Sequence, residues 1–178
     1  LQNIYRACQS GGLSASIEIV ISNNSRSAAL EFAREKGIPA QHLSSQTHPD
    51  PVLLDLAVCQ ALEQSGATLV VTAGYLKKVG MSTLSRFPRA VINVHPSLLP
   101  RHGGPGMYGL KVHQAVCDAG EVQTGVTVHY VTEEYDQGQI IRQSKLEVLN
   151  EDNPESLAGR LLPVEHELLV NVLKELSE

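Results

Sequence analysis

The sequence predicts an α/β fold, a mixed and mostly parallel sheet with helices on both faces, and three observations carry that expectation. Short β-branched runs alternate with segments of helical periodicity through the first half, at the spacing of βαβ units. Two later runs, residues 124–131 and 140–148, are separated by a polar connection with turn chemistry and read as an antiparallel pair. Before that pair lies Val91-Ile92-Asn93-Val94-His95, a β-branched run that reads as a buried strand and ends where Pro96 stops the ladder.

The elements follow in order. Leu1, Ile4, Tyr5 and Cys8 mark one face of a helix that ends near Gly11-Gly12. Residues 17–21 form a short strand, and the turn at residues 22–25 leads into a helix over 26–36 that Gly37-Ile38-Pro39 stops. Residues 40–43 suit a short strand, 44–51 a polar loop, and 52–64 a helix. The run 67–72 is the next buried strand, closed by Ala73-Gly74-Tyr75, and 76–87 reads as a short helical connection. After the strand with Asn93 and His95 comes a glycine-rich loop, Gly103-Gly104-Pro105-Gly106, then a helix over 110–119. Pro154 suits a first helical turn, and the last helix, 155–176, carries Leu157, Leu161, Leu168, Leu169, Val172 and Leu176 on its apolar stripe.

Composition narrows the function classes. A length of 178 residues suits one domain with a sizeable core. The net charge of -5, with no basic block, argues against a nucleic-acid partner. No apolar run approaches the roughly 20 residues of a membrane span, so no membrane partner is expected. Cys8, Cys59 and Cys117 are odd in number and widely spaced, which suggests neither a disulfide framework nor a zinc site and fits a reducing, cytoplasmic location. None of the seven histidines has the His-x-x-x-His spacing that puts two ligands on one helical face, and no metal is expected.

The chemistry concentrates at residues 93–106. Asn93 and His95 are two apart on a strand and therefore share a face. A carboxamide and an imidazole side by side at a strand end can polarise a carbonyl and then protonate or hydrogen-bond the developing oxyanion. Ligands of parallel sheets bind outside the carboxyl ends of the strands, where Gly74 and His95-Pro96 both fall. An aspartate beside His95 would favour the imidazolium, and Asp136 in the later connection is the candidate. Ser97 is followed by Leu-Leu-Pro and lacks the glycine setting of a nucleophile elbow. An acid, an oxyanion-stabilising amide and no nucleophile suit group transfer by direct attack of an acceptor amine.

Asn93-Val94-His95-Pro96-Ser97-Leu98-Leu99-Pro100, preceded by Ala73-Gly74-Tyr75-Leu76 and followed by His129-Tyr130-Val131-Thr132-Glu133-Glu134-Tyr135-Asp136-Gln137-Gly138, resembles the folate-dependent glycinamide-ribonucleotide formyltransferase family. Val164-Glu165-His166-Glu167 in the last helix extends the match to nearly the whole chain. The resemblance implies a Rossmann-like formyltransferase fold, and transfer of a formyl group from 10-formyltetrahydrofolate to the amine of glycinamide ribonucleotide in purine synthesis. It implies His95 as general acid, Asn93 as the donor to the formyl oxygen, and Asp136 as the group that holds His95 charged and orders a water for proton transfer. It further implies a folate site along Leu76, Lys77, Lys78, Val79, Asn93, Val131, Thr132, Glu133 and Glu134. The acceptor site would comprise Gly74, Val94, Pro96 and Glu165, with the last on the ribose. Small-molecule substrates and a monomer or homodimer complete the expectation.

Two departures accompany the resemblance. The family opens with a strand and a Gly-x-Gly-Ser-Asn loop that cradles the substrate phosphate, and this sequence starts just after it. The expectation is accordingly a single formyltransferase domain, 1–178, without that strand and phosphate loop. Asp50-Pro51 stands where the family can carry an arginine near the folate tail. Competing readings are methionyl-tRNA formyltransferase, formyltetrahydrofolate deformylase, or a non-catalytic folate- or nucleotide-binding module in which Asn93 and His95 are structural.

Overall fold

Helices and strands alternate along residues 1–177, which the computed structural model describes: α1 (Gln2–Gln9), β1 (Val20–Ser22), α2 (Ala28–Glu35), β2 (Ala40–His42), α3 (Pro51–Gln64), β3 (Val70–Thr72), α4 (Met81–Arg86), β4 (Val91–His95), α5 (Leu110–Asp118), β5 (Gln123–Tyr130), β6 (Ile140–Glu147) and α6 (Pro154–Leu176). The expected α/β class is borne out. The strands form a two-stranded ladder, β1-β2, and a four-stranded sheet in the order β3-β4-β5-β6. The chain divides into one unit of residues 1–70 and 77–90 and another of residues 71–76 and 91 onward.

In the first unit β1 and β2 are parallel, Val20 opposite Ala40 and Ser22 opposite His42. The sequence reading began this strand at Ile17, but the ladder begins where the Val20 N–H donates to the Pro39 carbonyl at 2.8 Å. Upstream of Pro39 the partner chain is leaving α2 through Gly37, at φ 69°, so no extended neighbour exists for Ile17. Helix α2 starts two residues later than expected because Ser27 is its N-cap, its hydroxyl accepting from the Leu30 N–H at 3.3 Å. Asp50 caps α3, accepting from the Val52 N–H at 2.7 Å, and Pro51 occupies the first turn. The Asp50-Pro51 pair is thus a helix start.

The largest departure is at residues 76–80, expected as helix and found irregular. Helix α4 begins only at Met81 because Asp55, from α3, captures its first donors: the Ser82 N–H at 2.7 Å and the Thr83 hydroxyl at 2.9 Å. A Cβ at the preceding Gly80 would run into that carboxyl group, so glycine is what lets α3 and α4 close together. Lys77 and Lys78 therefore lie on irregular chain, not at a helix start.

In the second unit the expected mostly parallel pairing gives way to antiparallel pairing of β4 with β5, Asn93 opposite His129 and His95 opposite Thr127. β5 and β6 are also antiparallel, as the short polar connection between them requires. Among strand pairs with a defined register, parallel pairing is confined to β1-β2. A register shift between Val128 and His129 marks a bulge in the β5-β6 pairing. Every residue from Thr124 to His129 is buried, so β5 is a central strand covered on both faces. Its core includes Ile92, Val126 and Val128, each 0% exposed, and α6 packs against β5, β6 and α5. Helix α6 is capped reciprocally by Asn153 and Ser156. Its Leu157, Leu161, Leu168, Leu169 and Val172 are buried as the stripe predicted, whereas Leu176 is exposed.

Candidate functional site

Asn93 and His95 emerge from β4 on the same face, and the antiparallel register brings His129 of β5 directly across from Asn93. The Asn93 Nδ2 lies 3.2 Å from His129 Nε2. Its Oδ1 accepts from the Thr72 hydroxyl at 2.8 Å. His129 Nδ1 is 2.9 Å from the Tyr130 carbonyl oxygen, which can only accept, so Nδ1 carries a proton. His95 Nε2 lies 2.9 Å from the His102 carbonyl and is a donor by the same argument.

Asp136 joins the two imidazoles. Its Oδ1 stands 3.6 Å from His95 Nδ1 and 3.5 Å from His129 Nε2. Its Oδ2 accepts from the Gly104 N–H at 2.8 Å. Asp136 has φ 57°, a left-handed conformation that aspartate tolerates better than most residues. His95 and His129 are 4% and 2% exposed, so the three groups interact away from bulk water. The aspartate that the sequence reading set beside His95 is in fact beside it.

The electrostatics differ from the expectation in one respect. The resemblance implied that Asp136 holds His95 charged, but burial pushes the His95 imidazole below its ordinary value of 6.5. The His102 carbonyl and the Asp136 carboxylate pull the other way, while the His129 and His102 imidazoles add to the lowering. At 3.6 Å the Asp136 contact exceeds a hydrogen bond and does not offset the desolvation. His95 accordingly rests neutral near pH 7, with an acceptor already facing each ring nitrogen. Burial raises the Asp136 carboxyl, but the adjoining His129 imidazole, the Gly104 N–H and the field of His95 outweigh it and leave it below its ordinary value.

The loop that follows β4 is pinned from β5 and β6. Thr127 donates its hydroxyl to the Ser97 carbonyl at 2.6 Å and accepts from the Leu99 N–H at 3.1 Å. Gln143 donates to the Leu99 carbonyl at 3.0 Å and to the Thr127 hydroxyl at 2.9 Å. Ser97 is a loop hydroxyl, as read, donating to the Arg101 carbonyl at 2.6 Å. A Cβ at Gly103 would strike the end of the Leu99 side chain and stand 3.2 Å from the Asp136 Cβ, so a larger residue there would have to push one of them aside.

The remaining expected site residues have the following settings. Gly74 is exposed at φ 69° and Leu76 is 53% exposed. Lys77 and Lys78 are exposed and Val79 is half-buried, all three in the first unit. Val131 donates its N–H to the Val91 carbonyl at 2.8 Å. Thr132 donates its hydroxyl to the Glu134 carbonyl at 3.1 Å, and Glu133 and Glu134 are exposed. Val94 is buried in the sheet and Pro96 half-buried. Glu165 is half-buried on α6, and burial raises its carboxyl. The sequence assigns no roles to Thr72, Thr127, Gln143 and His129, because a hydroxyl, an amide or an imidazole on a strand declares no partner until the register is known. No group of three or more His, Cys, Asp or Glu among the described residues could hold a metal ion.

The family model for formyl transferase matches residues 1–173. The chain belongs to the formyl transferase family. It is 36% identical over 99% of its length to the chloroplastic phosphoribosylglycinamide formyltransferase of Arabidopsis thaliana and spans 61% of that relative. It is 34% identical over its full length to phosphoribosylglycinamide formyltransferase of Haemophilus influenzae, of which it spans 82%. Among solved structures, glycinamide ribonucleotide transformylase 1 of Symbiobacterium toebii superposes with a TM-score of 0.90 at 34% identity, covering 97% of this chain and 79% of that one. In this member of the formyl transferase family, then, buried His95 and half-buried Asn93 and Asp136 sit in a fold shared with solved relatives.

Proposed function

We propose that the protein transfers the formyl group of 10-formyltetrahydrofolate to the amine of glycinamide ribonucleotide, a step of de novo purine synthesis. The observation that carries the proposal is the grouping of half-buried Asn93 and Asp136 around buried His95, with Asp136 Oδ1 3.6 Å from His95 Nδ1, in a chain of the formyl transferase family. The acceptor amine attacks the formyl carbon, a C–N bond forms, and the formyl oxygen takes up negative charge. One N–H of Asn93 is engaged with His129, and the second is free to donate to that oxygen, the contribution of an oxyanion-hole donor. His95 carries the proton that the attacking nitrogen must lose and the departing folate nitrogen must gain as its bond to the formyl carbon breaks. Its lowered pKa makes it neutral at rest and a stronger acid once protonated. Asp136 and the His102 carbonyl receive the two N–H groups of the transient imidazolium, and an Asp136-bound water can complete the relay.

The substrate-binding assignments extend the same reading. Leu76, Lys77, Lys78, Val79 and residues 131–134 are assigned to the folate, and Gly74, Val94, Pro96 and Glu165 to the acceptor. A reducing compartment is consistent with the free thiols Cys8, Cys59 and Cys117, each made less reactive by burial that raises its pKa. No helix among the described residues is long and apolar enough to cross a membrane.

The test is a formyl-transfer assay with both substrates. His95→Ala and Asp136→Asn are each expected to reduce turnover by at least about 10²-fold with the protein still folded, the lower range for an acid–base group. Near-wild-type turnover in either variant, or none in the wild type, rejects the proposal.

A further inference from the structure

We infer that Thr72 and His129 are positioning residues that hold the Asn93 carboxamide with its nitrogen, rather than its oxygen, toward the reacting formyl group. The inference rests on the role proposed above for Asn93 and assigns what fixes that side chain. An asparagine amide can rotate end for end, and only one of the two orientations offers a donor to an oxyanion.

Both ends of the Asn93 amide have a partner that discriminates. His129 Nδ1 must carry a proton to satisfy the Tyr130 carbonyl at 2.9 Å. With the single ring proton on Nδ1, Nε2 offers a lone pair, and the Asp136 carboxylate oxygen 3.5 Å away has no proton to give it. That lone pair can be met by the Asn93 Nδ2 at 3.2 Å and not by an Asn93 oxygen in that place. At the other end the Thr72 hydroxyl lies 2.8 Å from Asn93 Oδ1 and 3.1 Å from the Ile92 carbonyl. Its one proton has its shorter path to Asn93, and turning the amide would forfeit the bonds at both ends.

The fold is built to make these contacts. His129 is directly opposite Asn93 in the β4-β5 register and sits at the bulge in the β5-β6 pairing, a device that re-aims a side chain near a site. Thr72 is the last residue of β3, which neighbours β4. Thr72 is 8% exposed and His129 2% exposed, so water does not readily substitute for either. With one N–H spent on His129, the remaining Asn93 N–H has a fixed direction.

The experiment uses paired substitutions read as kcat and KM in the transfer assay. Thr72→Val keeps the shape and removes the donor, whereas Thr72→Ser restores it. His129→Asn keeps a group near the Tyr130 carbonyl and loses the distant acceptor, whereas His129→Gln carries an oxygen to about the Nε2 position. Thr72→Val and His129→Asn are expected to lower kcat about 10-fold, with KM for the folate donor changed less than about threefold, short of the 10²–10³ lost with an oxyanion donor itself. Thr72→Ser and His129→Gln are expected within about threefold of wild type. In an Asn93→Ala background the Thr72→Val loss is not expected to recur, since Thr72 acts through Asn93, whereas part of the His129→Asn loss is expected to remain because His129 also faces Asp136. Wild-type kcat in Thr72→Val and His129→Asn overturns the inference, as does a full repeat of the Thr72→Val loss in the Asn93→Ala background. Wild-type turnover in Asn93→Ala alone instead rejects the proposed role of Asn93, and the inference with it.

Discussion

Gly103 shows how narrowly single residues set the site. The loop after β4 delivers two backbone groups to the proposed catalytic cluster, the His102 carbonyl to His95 and the Gly104 N–H to Asp136. Between them Gly103 passes so close that an added Cβ would meet Leu99 and the Asp136 side chain. Gly103→Ala is expected to move Asp136 away from His95 and lower kcat by about 10-fold or more, because small displacements of catalytic groups are costly. Steady-state kinetics on that variant decide the point, and an unchanged kcat contradicts the close approach. The value of Asp136 comes from the same geometry, since a turn aspartate has no chemical interest until the chain places it between two buried imidazoles.

Individual elements are held by polar contacts as well as by apolar burial. Thr127 sits on β5, is 0% exposed, and ties together Ser97, Leu99 and Gln143. Thr127→Val would leave the Leu99 N–H without its acceptor and the Ser97 carbonyl without its donor. A loss of about 1–3 kcal/mol in unfolding free energy is expected, measurable by urea denaturation; a loss below about 0.5 kcal/mol means that the loop finds other partners. Asp55 does comparable work in the first unit by capping α4 from α3. Asp55→Ala is expected to destabilise by about 1 kcal/mol, the usual worth of a cap. Amide exchange at Ser82 and Thr83 should accelerate first, and unchanged protection there would show that α4 holds without the cap. Periodicity made α3, α5 and α6 legible because their apolar stripes are internal to each segment. The start of α4 was not legible, since its cap comes from a residue 27 positions earlier in the chain.

Across the whole molecule, buried ionisable groups set the dependence of stability on pH. Burial lowers both His95 and His113, and His113 also has a buried Nδ1 without a hydrogen-bond partner. Unfolded, these histidines take up protons near their ordinary value of 6.5; folded, they do so only at lower pH. The unfolded state therefore binds more protons below about pH 6.5, and stability falls as pH drops through that point. Asp136 and Asp152 are both held below the ordinary carboxylate value. Their stabilisation is present above about pH 4 and is lost as pH falls through their folded values. Unfolding free energy is thus expected to be lower at pH 5.5 than at pH 7.5. His113→Leu should reduce that difference, because it removes one of the two histidines that must charge. Denaturant curves at the two pH values test this, and an equal or larger difference in the variant is incompatible with it.

The sequence by itself determined the α/β class, the helices whose stripes and caps are local, the turn-linked antiparallel strands, and the shared face of Asn93 and His95. These are short-range properties, set by side-chain period, turn chemistry and the two-residue repeat of a strand. Only the tertiary structure decided that β4 pairs with β5 in the register that sets His129 against Asn93, and that Asp136 stands within reach of both histidines. It also decided that His95 rests neutral, because desolvation depends on everything packed around a group and not on its neighbours in sequence. The pair of polar residues on a buried strand was visible in the chain, and the partners that orient them were supplied by strand pairing.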